Sequence, residues 1–162
     1  KKLDKKNIDY VISLQGDEPS INPKDIINLN NLMVKNNSDI GTLAAKIKDN
    51  SILADENVVK VATENELKSD NFVKAKNFFR KDLSKENQNI YHHIGIYCYK
   101  LSILEKFVNL DQTKNEIENR LEQLRAMDNL IKINVALSKS SPIGVDTKED
   151  YLALKKIMEY KS

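Results

Sequence analysis

Short apolar runs and amphipathic segments alternate along nearly the whole chain. The runs have the length and composition of buried strands, and the segments between them carry apolar residues at helical spacing. Strands are predicted at residues 8–14, 41–47, 58–63, 72–80, 93–100 and 131–137. This alternation predicts an α/β fold, a three-layer sandwich with a mainly parallel, Rossmann-like sheet.

The helices between these strands have recognisable first turns. Asn22 followed by Pro23 is typical of an N-cap and a first helical residue. Thr113 and Glu116 form a capping box, which predicts one helix from there to about Asp128. Further helices are predicted at residues 102–108 and from Thr147 to about residue 160, and the polar residues 81–90 are predicted to form a loop.

The composition limits the classes of function. The 162 residues suffice for a single domain, and the net charge of +2 comes from interspersed charges of both signs, which argues against a nucleic-acid partner. No apolar run approaches the ~20 residues that a membrane span requires. Cys98 is the only cysteine, so an internal disulfide is excluded and a cytoplasmic location is expected.

Two strand ends carry carboxylates. The first strand runs into Gln15-Gly16-Asp17, and Asp146 follows the last strand. In α/β folds ligands bind at the carboxyl ends of the strands, and Mg²⁺ is bound by one or two carboxylates together with phosphate oxygens. Asp17 and Asp146 are therefore candidate Mg²⁺ ligands. A plain turn at Gly16-Asp17 and a helix-terminal acid at Asp146 explain the same pattern.

Three further groups of polar residues have both a functional and a structural interpretation. His93 and Tyr97 are four residues apart on one strand face, as in a site for a hydroxylated ligand or in an ordinary amphipathic strand. Arg80 ends a strand and would clamp a carboxylate or cap the strand in solvent. Glu122 and Gln123 flank the apolar stripe of a helix, where solvated surface residues are also common.

Four motifs occur together along the chain. They are Gln15-Gly-Asp-Glu-Pro19, His93-Ile-Gly-Ile-Tyr97, Leu121-Glu-Gln-Leu-Arg125 and Gly144-Val-Asp-Thr147. In this order they resemble the CMP-Kdo synthetases, the 3-deoxy-manno-octulosonate cytidylyltransferases. The resemblance covers nearly the whole chain and implies a nucleotidyltransferase fold.

The resemblance implies a reaction and a set of site residues. The eight-carbon acid sugar Kdo would attack the α-phosphate of CTP, giving CMP-Kdo and pyrophosphate for lipopolysaccharide inner-core synthesis in Gram-negative bacteria. Mg²⁺ would be held by Asp17 and Asp146. The positions that match Kdo-binding residues are Gln15, Arg80, His93, Tyr97, Glu122 and Gln123. The family also implies a homodimer.

The chain also departs from the family. It lacks the N-terminal loop that grips the triphosphate, so an N-terminally truncated domain is expected. Several family positions are changed, namely His92, Asn119, Lys148 and the Phe79–Leu83 stretch around Arg80. Two alternatives therefore stay open: a cytidylyltransferase for another acid sugar, such as a CMP-sialic acid synthetase, and a non-catalytic sugar-binding remnant.

Overall fold

A computed structural model describes residues 8–16, 20–81, 88–139, 148, 151–152 and 155–156 of the chain. Six strands and five helices have both of their ends within this part. The strands are β1 (Tyr10–Leu14), β2 (Ile40–Ala45), β3 (Lys60–Thr63), β4 (Val73–Phe79), β5 (Ile90–Lys100) and β6 (Ile133–Leu137); the helices are α1 (Pro23–Asn36), α2 (Ser51–Ala54), α3 (Leu101–Phe107), α4 (Lys114–Asn119) and α5 (Gln123–Asp128).

The six strands form one mixed sheet in the order β1-β5-β2-β6-β4-β3. Only β2 and β6 pair in parallel; the other pairs in the described part are antiparallel. The α/β class is confirmed, but the prediction of a mainly parallel sheet is wrong for these strands. The reason is the position of β5 in the sheet. It pairs antiparallel with both β1 and β2, and therefore lies between two strands that run in the same direction.

Strand β5 closes the sheet into a ring. One of its edges pairs with β2, while the other pairs with β3 near His92 and with β1 from Ile96 onwards. Because β3 also follows β4 in the sheet, β5, β2, β6, β4 and β3 form a closed circuit. Strand β1 lies outside this circuit as an edge strand, with half of the Leu14 side chain exposed.

Two cores lie on the two faces of the sheet. The inner core fills the ring and is covered by side chains such as Phe107 of α3 and Leu124 of α5. The outer core packs Leu29 and Met33 of α1 against β2, β5 and β6. Helices thus cover both faces, as a three-layer arrangement requires.

Local sequence signals agree with the observed helix starts. The Asn22 side chain accepts a hydrogen bond from the Lys24 amide, and Pro23 opens α1 as predicted. The Thr113–Glu116 capping box is present at α4. The predicted continuous helix to Asp128 is wrong, because Arg120 adopts a left-handed conformation that ends α4.

The remaining predictions fall on the chain's less completely described parts. Most of the predicted loop lies outside the described residues, since residues 82–87 are among those not described. The described positions of the last helix, 148, 151–152 and 155–156, are helical. Among the described residues, no helix is both long and apolar enough to cross a membrane.

Candidate functional site

A row of five aromatic rings crosses the inner face of the ring of strands. The rings are Phe78, His93, Tyr97, Tyr99 and Phe107, and we call this set the aromatic row. Successive ring centroids are 5.2, 5.4, 5.8 and 6.0 Å apart. Strand alternation turns His93, Tyr97 and Tyr99 to the same side of β5. The predicted pairing of His93 with Tyr97 on one face is therefore confirmed.

A bulge in β5 lies beside the hydrogen bond between His93 and the Thr42 hydroxyl. The register against β2 shifts between Thr42 and Leu43, so that Gly95 and Ile96 are extra residues on β5. The Thr42 hydroxyl lies 2.7 Å from the Ile96 carbonyl oxygen and 3.0 Å from His93 Nε2. Because the hydroxyl has one hydrogen to donate to the carbonyl, it accepts the hydrogen of Nε2.

This environment keeps His93 neutral. Its side chain is buried, and burial together with the neighbouring His92 lowers the pKa of His93 to about 3. An uncharged imidazole at this position donates one hydrogen bond to Thr42 and keeps Nδ1 as an acceptor. Such a group can exchange hydrogen bonds with hydroxyls and carries no positive charge.

Tyr97 carries a buried hydroxyl without a partner. The residue is 8% exposed, and the hydroxyl forms no hydrogen bond with any residue that the structure describes. Burial, and then the nearby Tyr99 and Glu122, raise the pKa of Tyr97, so the phenol keeps its proton. A buried polar group without a partner is costly, so the Tyr97 hydroxyl is a candidate hydrogen-bond donor to a bound ligand.

Glu122 and Gln123 lie at the start of α5, beside the aromatic row. The Glu122 side chain is exposed and its Oε1 lies 3.2 Å from Arg125 Nη2. Burial is the main cause of the raised pKa values of Tyr97 and Tyr99, and the negative charge of Glu122 raises both further. The structure therefore brings His93, Tyr97 and Glu122 into one region, with Gln123 as the next residue along the helix.

Gln15 follows the edge strand on the same side. Ser13 of β1 pairs with Tyr97 of β5, and Gln15 is two residues further along the strand, on the face of Ser13. Its side chain is exposed at the strand end. Gln15 thus lies next to the part of β5 that carries the aromatic row.

Arg80 has backbone partners outside the aromatic row. Its Nη1 donates to the carbonyl oxygens of Glu56 and Asn57, at 3.3 and 2.7 Å. The Arg80 carbonyl in turn accepts from the buried Lys60 ammonium, which also donates to the Asp55 carbonyl at 2.8 Å. These contacts fit the strand-capping interpretation; a carboxylate clamp by Arg80 stays a prediction.

The two candidate metal ligands, Asp17 and Asp146, lie outside the described residues. Among the described residues, no cluster of three or more metal-ligating side chains occurs. The strands that precede the two aspartates, β1 and β6, run in the same direction, because both are related to β2 through the sheet. Two carboxylates following parallel strand ends are a donor set that suits a hard cation such as Mg²⁺.

Several residues of this region were not identified from the sequence. They are Thr42, Phe78, Tyr99, Phe107, Glu116 and Arg120. The aromatic members had the pattern of ordinary core residues, and nothing in the sequence around Thr42 marks the bulge it supports. The capping box marks Glu116 in the sequence, but it predicts the start of a helix and not the ion pair of Glu116 with Arg125.

Comparison with known sequences gives a consistent family. The family model described as cytidylyltransferase matches residues 1–133. The chain is 37% identical over 148 residues to the 3-deoxy-manno-octulosonate cytidylyltransferase of Bartonella tribocorum, covering 91% of this chain and 60% of that protein. It is 41% identical over 145 residues to the enzyme of the same name from Thermodesulfovibrio yellowstonii, covering 86% of this chain and 56% of the relative. The chain thus spans about three fifths of these relatives' lengths.

Solved structures agree with this result. The structure of a CMP:2-keto-3-deoxy-manno-octonic acid synthetase complexed with CTP superposes with a TM-score of 0.84 at 28% identity, over 96% of this chain and 64% of that one. A UTP-bound UGPase from Acinetobacter baumannii superposes with a TM-score of 0.59 at 9% identity, over 93% of this chain and 47% of that one. The second likeness shows the fold alone.

Proposed function

The chain belongs to the cytidylyltransferase family, and on that premise we propose that it carries the sugar- and metal-binding half of an enzyme that makes CMP-Kdo. In this reaction the anomeric hydroxyl oxygen of Kdo forms a bond to the α-phosphorus of CTP. The bond from that phosphorus to the oxygen of the β-phosphate breaks, pyrophosphate leaves, and the hydroxyl proton is released. The names and identities of the curated relatives support Kdo as the acid sugar.

The observation that carries the proposal is the buried Tyr97 hydroxyl, which has no hydrogen-bond partner among the residues that the structure describes. It lies in the aromatic row next to a neutral His93 and within the electrostatic influence of Glu122. A sugar presents hydroxyls that donate and accept on its edges and C–H groups on its faces. The row offers one hydrogen-bond donor and one acceptor beside the exposed Glu122 carboxylate, and this combination is complementary to such a ligand.

Each residue would have a distinct part in binding. Tyr97 would donate to a sugar oxygen, the free nitrogen of His93 would accept from a sugar hydroxyl, and Glu122 would accept from one or two more. Gln15 and Gln123 offer amides that donate and accept. These contacts orient the sugar, and positioning supplies a large part of the rate in phosphoryl transfer.

The metal would be Mg²⁺, held by Asp17 and Asp146. When bound, it neutralises charge on the triphosphate and makes a coordinated hydroxyl easier to deprotonate. No imidazole of the row would then be required as a base, which agrees with the hydrogen bond from His93 to Thr42.

The setting of the enzyme is also part of the proposal. We propose a cytoplasmic, homodimeric enzyme of lipopolysaccharide synthesis in a Gram-negative bacterium. The chain has a single cysteine, Cys98, and no internal disulfide, which fits a reducing compartment. Burial raises the pKa of the Cys98 thiol to about 11 and keeps it unreactive.

The test is Kdo-dependent release of pyrophosphate from CTP and Mg²⁺. It would compare this chain with one extended at its N terminus by the upstream reading frame, and would include sialic acid in place of Kdo. Release with Kdo by the extended chain, abolished by Asp17→Asn or Asp146→Asn, is expected. The variant Asp70→Asn, at an exposed carboxylate, should release pyrophosphate at the rate of the unchanged protein. Absence of release with either sugar would overturn the proposal.

A further inference from the structure

A groove opens beside Glu122, on the side of α4 and α5. Its volume is 460 Å³, and its wall includes Gln112, Arg120, Leu121, Glu122 and Arg125. The groove is open to solvent and shares the Glu122 carboxylate with the proposed sugar site. A ligand bound at Glu122 would therefore extend into it.

The proposed ligand is an anion, and the Glu122 carboxylate would repel its negative charge. A cation is needed in the same place to offset this repulsion, and an arginine suits a carboxylate best because its planar fork matches the two oxygens. The chain has three arginines: Arg80, Arg120 and Arg125. Of these, only Arg120 and Arg125 line the groove.

Arg125 is already occupied. It forms two hydrogen bonds with the buried Glu116 carboxylate, at 2.7 and 2.6 Å, and one with Glu122 at 3.2 Å. Its guanidinium also lies 4.9 Å from the centroid of the Phe107 ring. This engagement raises the pKa of Arg125 and lowers that of Glu116. Arg125 therefore organises the wall of the groove and has little capacity left for a ligand.

Arg120 is different in two respects. Within the part of the chain that the structure describes, no hydrogen bond or ion pair engages its guanidinium, and the residue is exposed. Its backbone is left-handed, with φ 53° and ψ 47°, at the C-cap of α4. Glycine or asparagine is the usual residue in this conformation, because a Cβ is strained there. A strained residue that could be replaced by glycine is a candidate for function.

We propose that Arg120 binds the carboxylate of the acid sugar at the mouth of this groove. The guanidinium would contact both carboxylate oxygens, while a sugar hydroxyl reaches the Glu122 carboxylate in the same groove. This inference rests on the proposed function and adds to it the residue that recognises the acid group. Arg80 does not line this groove, and its Nη1 is bonded to the carbonyls of Glu56 and Asn57.

The decisive variant is Arg120→Gly, because it removes the guanidinium and relieves the backbone strain together. In the N-terminally extended chain, we expect an unchanged or higher melting temperature and a KM for Kdo raised about tenfold or more, with the KM for CTP unchanged. Arg120→Lys should restore part of the affinity. The matched control is Leu130→Gly, a left-handed residue (φ 60°) that is 90% exposed after α5; it should change neither KM.

A second measurement separates failure of this inference from failure of the proposed function. Titration of the ¹⁵N-labelled extended chain with Kdo, read at the Arg120 side-chain Nε–H, requires no turnover. A Kdo-dependent shift supports the contact even if no CMP is transferred. No shift, an unchanged KM for Kdo in Arg120→Gly, or an effect on the KM for CTP instead would overturn it.

Discussion

The neutral, buried His93 makes the stability of the fold depend on pH. Burial and the neighbouring His92 lower its pKa from 6.5 to about 3. In the unfolded chain the imidazole takes up a proton as the pH falls below 6.5, while in the folded chain it does not. The unfolded state then binds more protons, so the free energy of unfolding is highest at neutral pH and falls towards pH 4.

The size of this effect follows from the two pKa values. Between pH 7 and pH 4 the unfolded imidazole goes from about one quarter to almost fully protonated, and the lost stability is about 3 kcal/mol. If the pKa of His93 in the folded chain were one unit higher, the loss of stability between pH 7 and pH 4 would still be about 3 kcal/mol, because the folded imidazole would take up a proton only at the acid end of this pH range. The pKa of His92 is also lowered, by burial and by Lys60, and adds to the loss in the same direction.

The assay is urea unfolding at pH steps from 4 to 7, on the unchanged protein and on His93→Gln. Glutamine retains an N–H that reaches the Thr42 hydroxyl but does not titrate in this range. The contributions of His92 and of the carboxylates are present in both proteins and cancel in the comparison. We expect the variant to lose about 3 kcal/mol less between pH 7 and pH 4. Equal losses in the two proteins would refute the reasoning.

Three further predictions concern packing, charge and reactivity. Gly41→Ala should lower the free energy of unfolding by about 2 kcal/mol, because a Cβ there would meet two side chains within 2.7 Å; an unchanged urea midpoint would contradict this. Glu116→Gln should lower it by about 2 kcal/mol by weakening the pair with Arg125, whereas Lys114→Met, at an exposed ion pair, should change it by less than about 0.5 kcal/mol. Cys98 should react with a thiol reagent only as fast as the protein unfolds, and rapid labelling of the folded protein would disprove its burial.

Features fixed by neighbouring residues could be predicted from the sequence. The N-cap at Asn22 and the capping box at Thr113 depend on side chains within three residues of the helix start, and both are present. Alternation along β5 placed His93 and Tyr97 on one face for the same reason. The order and direction of the strands depend on distant pairings, and there the sequence pattern led to the wrong, mainly parallel sheet.

The site shows the same division. The pair of Arg125 with Glu116 joins residues nine apart across a helix break, which the predicted continuous helix did not include. The bond between Thr42 and His93 spans 51 residues and depends on a bulge with no local signature. Arg80 ends its strand as expected. Its partners are the backbone carbonyls of Glu56 and Asn57, and because every residue has such a carbonyl, the sequence does not indicate which ones Arg80 binds.

The most direct test of the sugar site is Tyr97→Phe in the N-terminally extended chain, with Tyr151→Phe, at an exposed residue outside the aromatic row, as the control. The change removes only a buried hydroxyl that has no partner in the described part of the chain, so the melting temperature should stay the same or rise. If Tyr97 holds the sugar, the KM for Kdo should rise by about tenfold or more while the KM for CTP does not change. An unchanged KM for Kdo in Tyr97→Phe would contradict the assignment of the aromatic row as the place where the acid sugar binds.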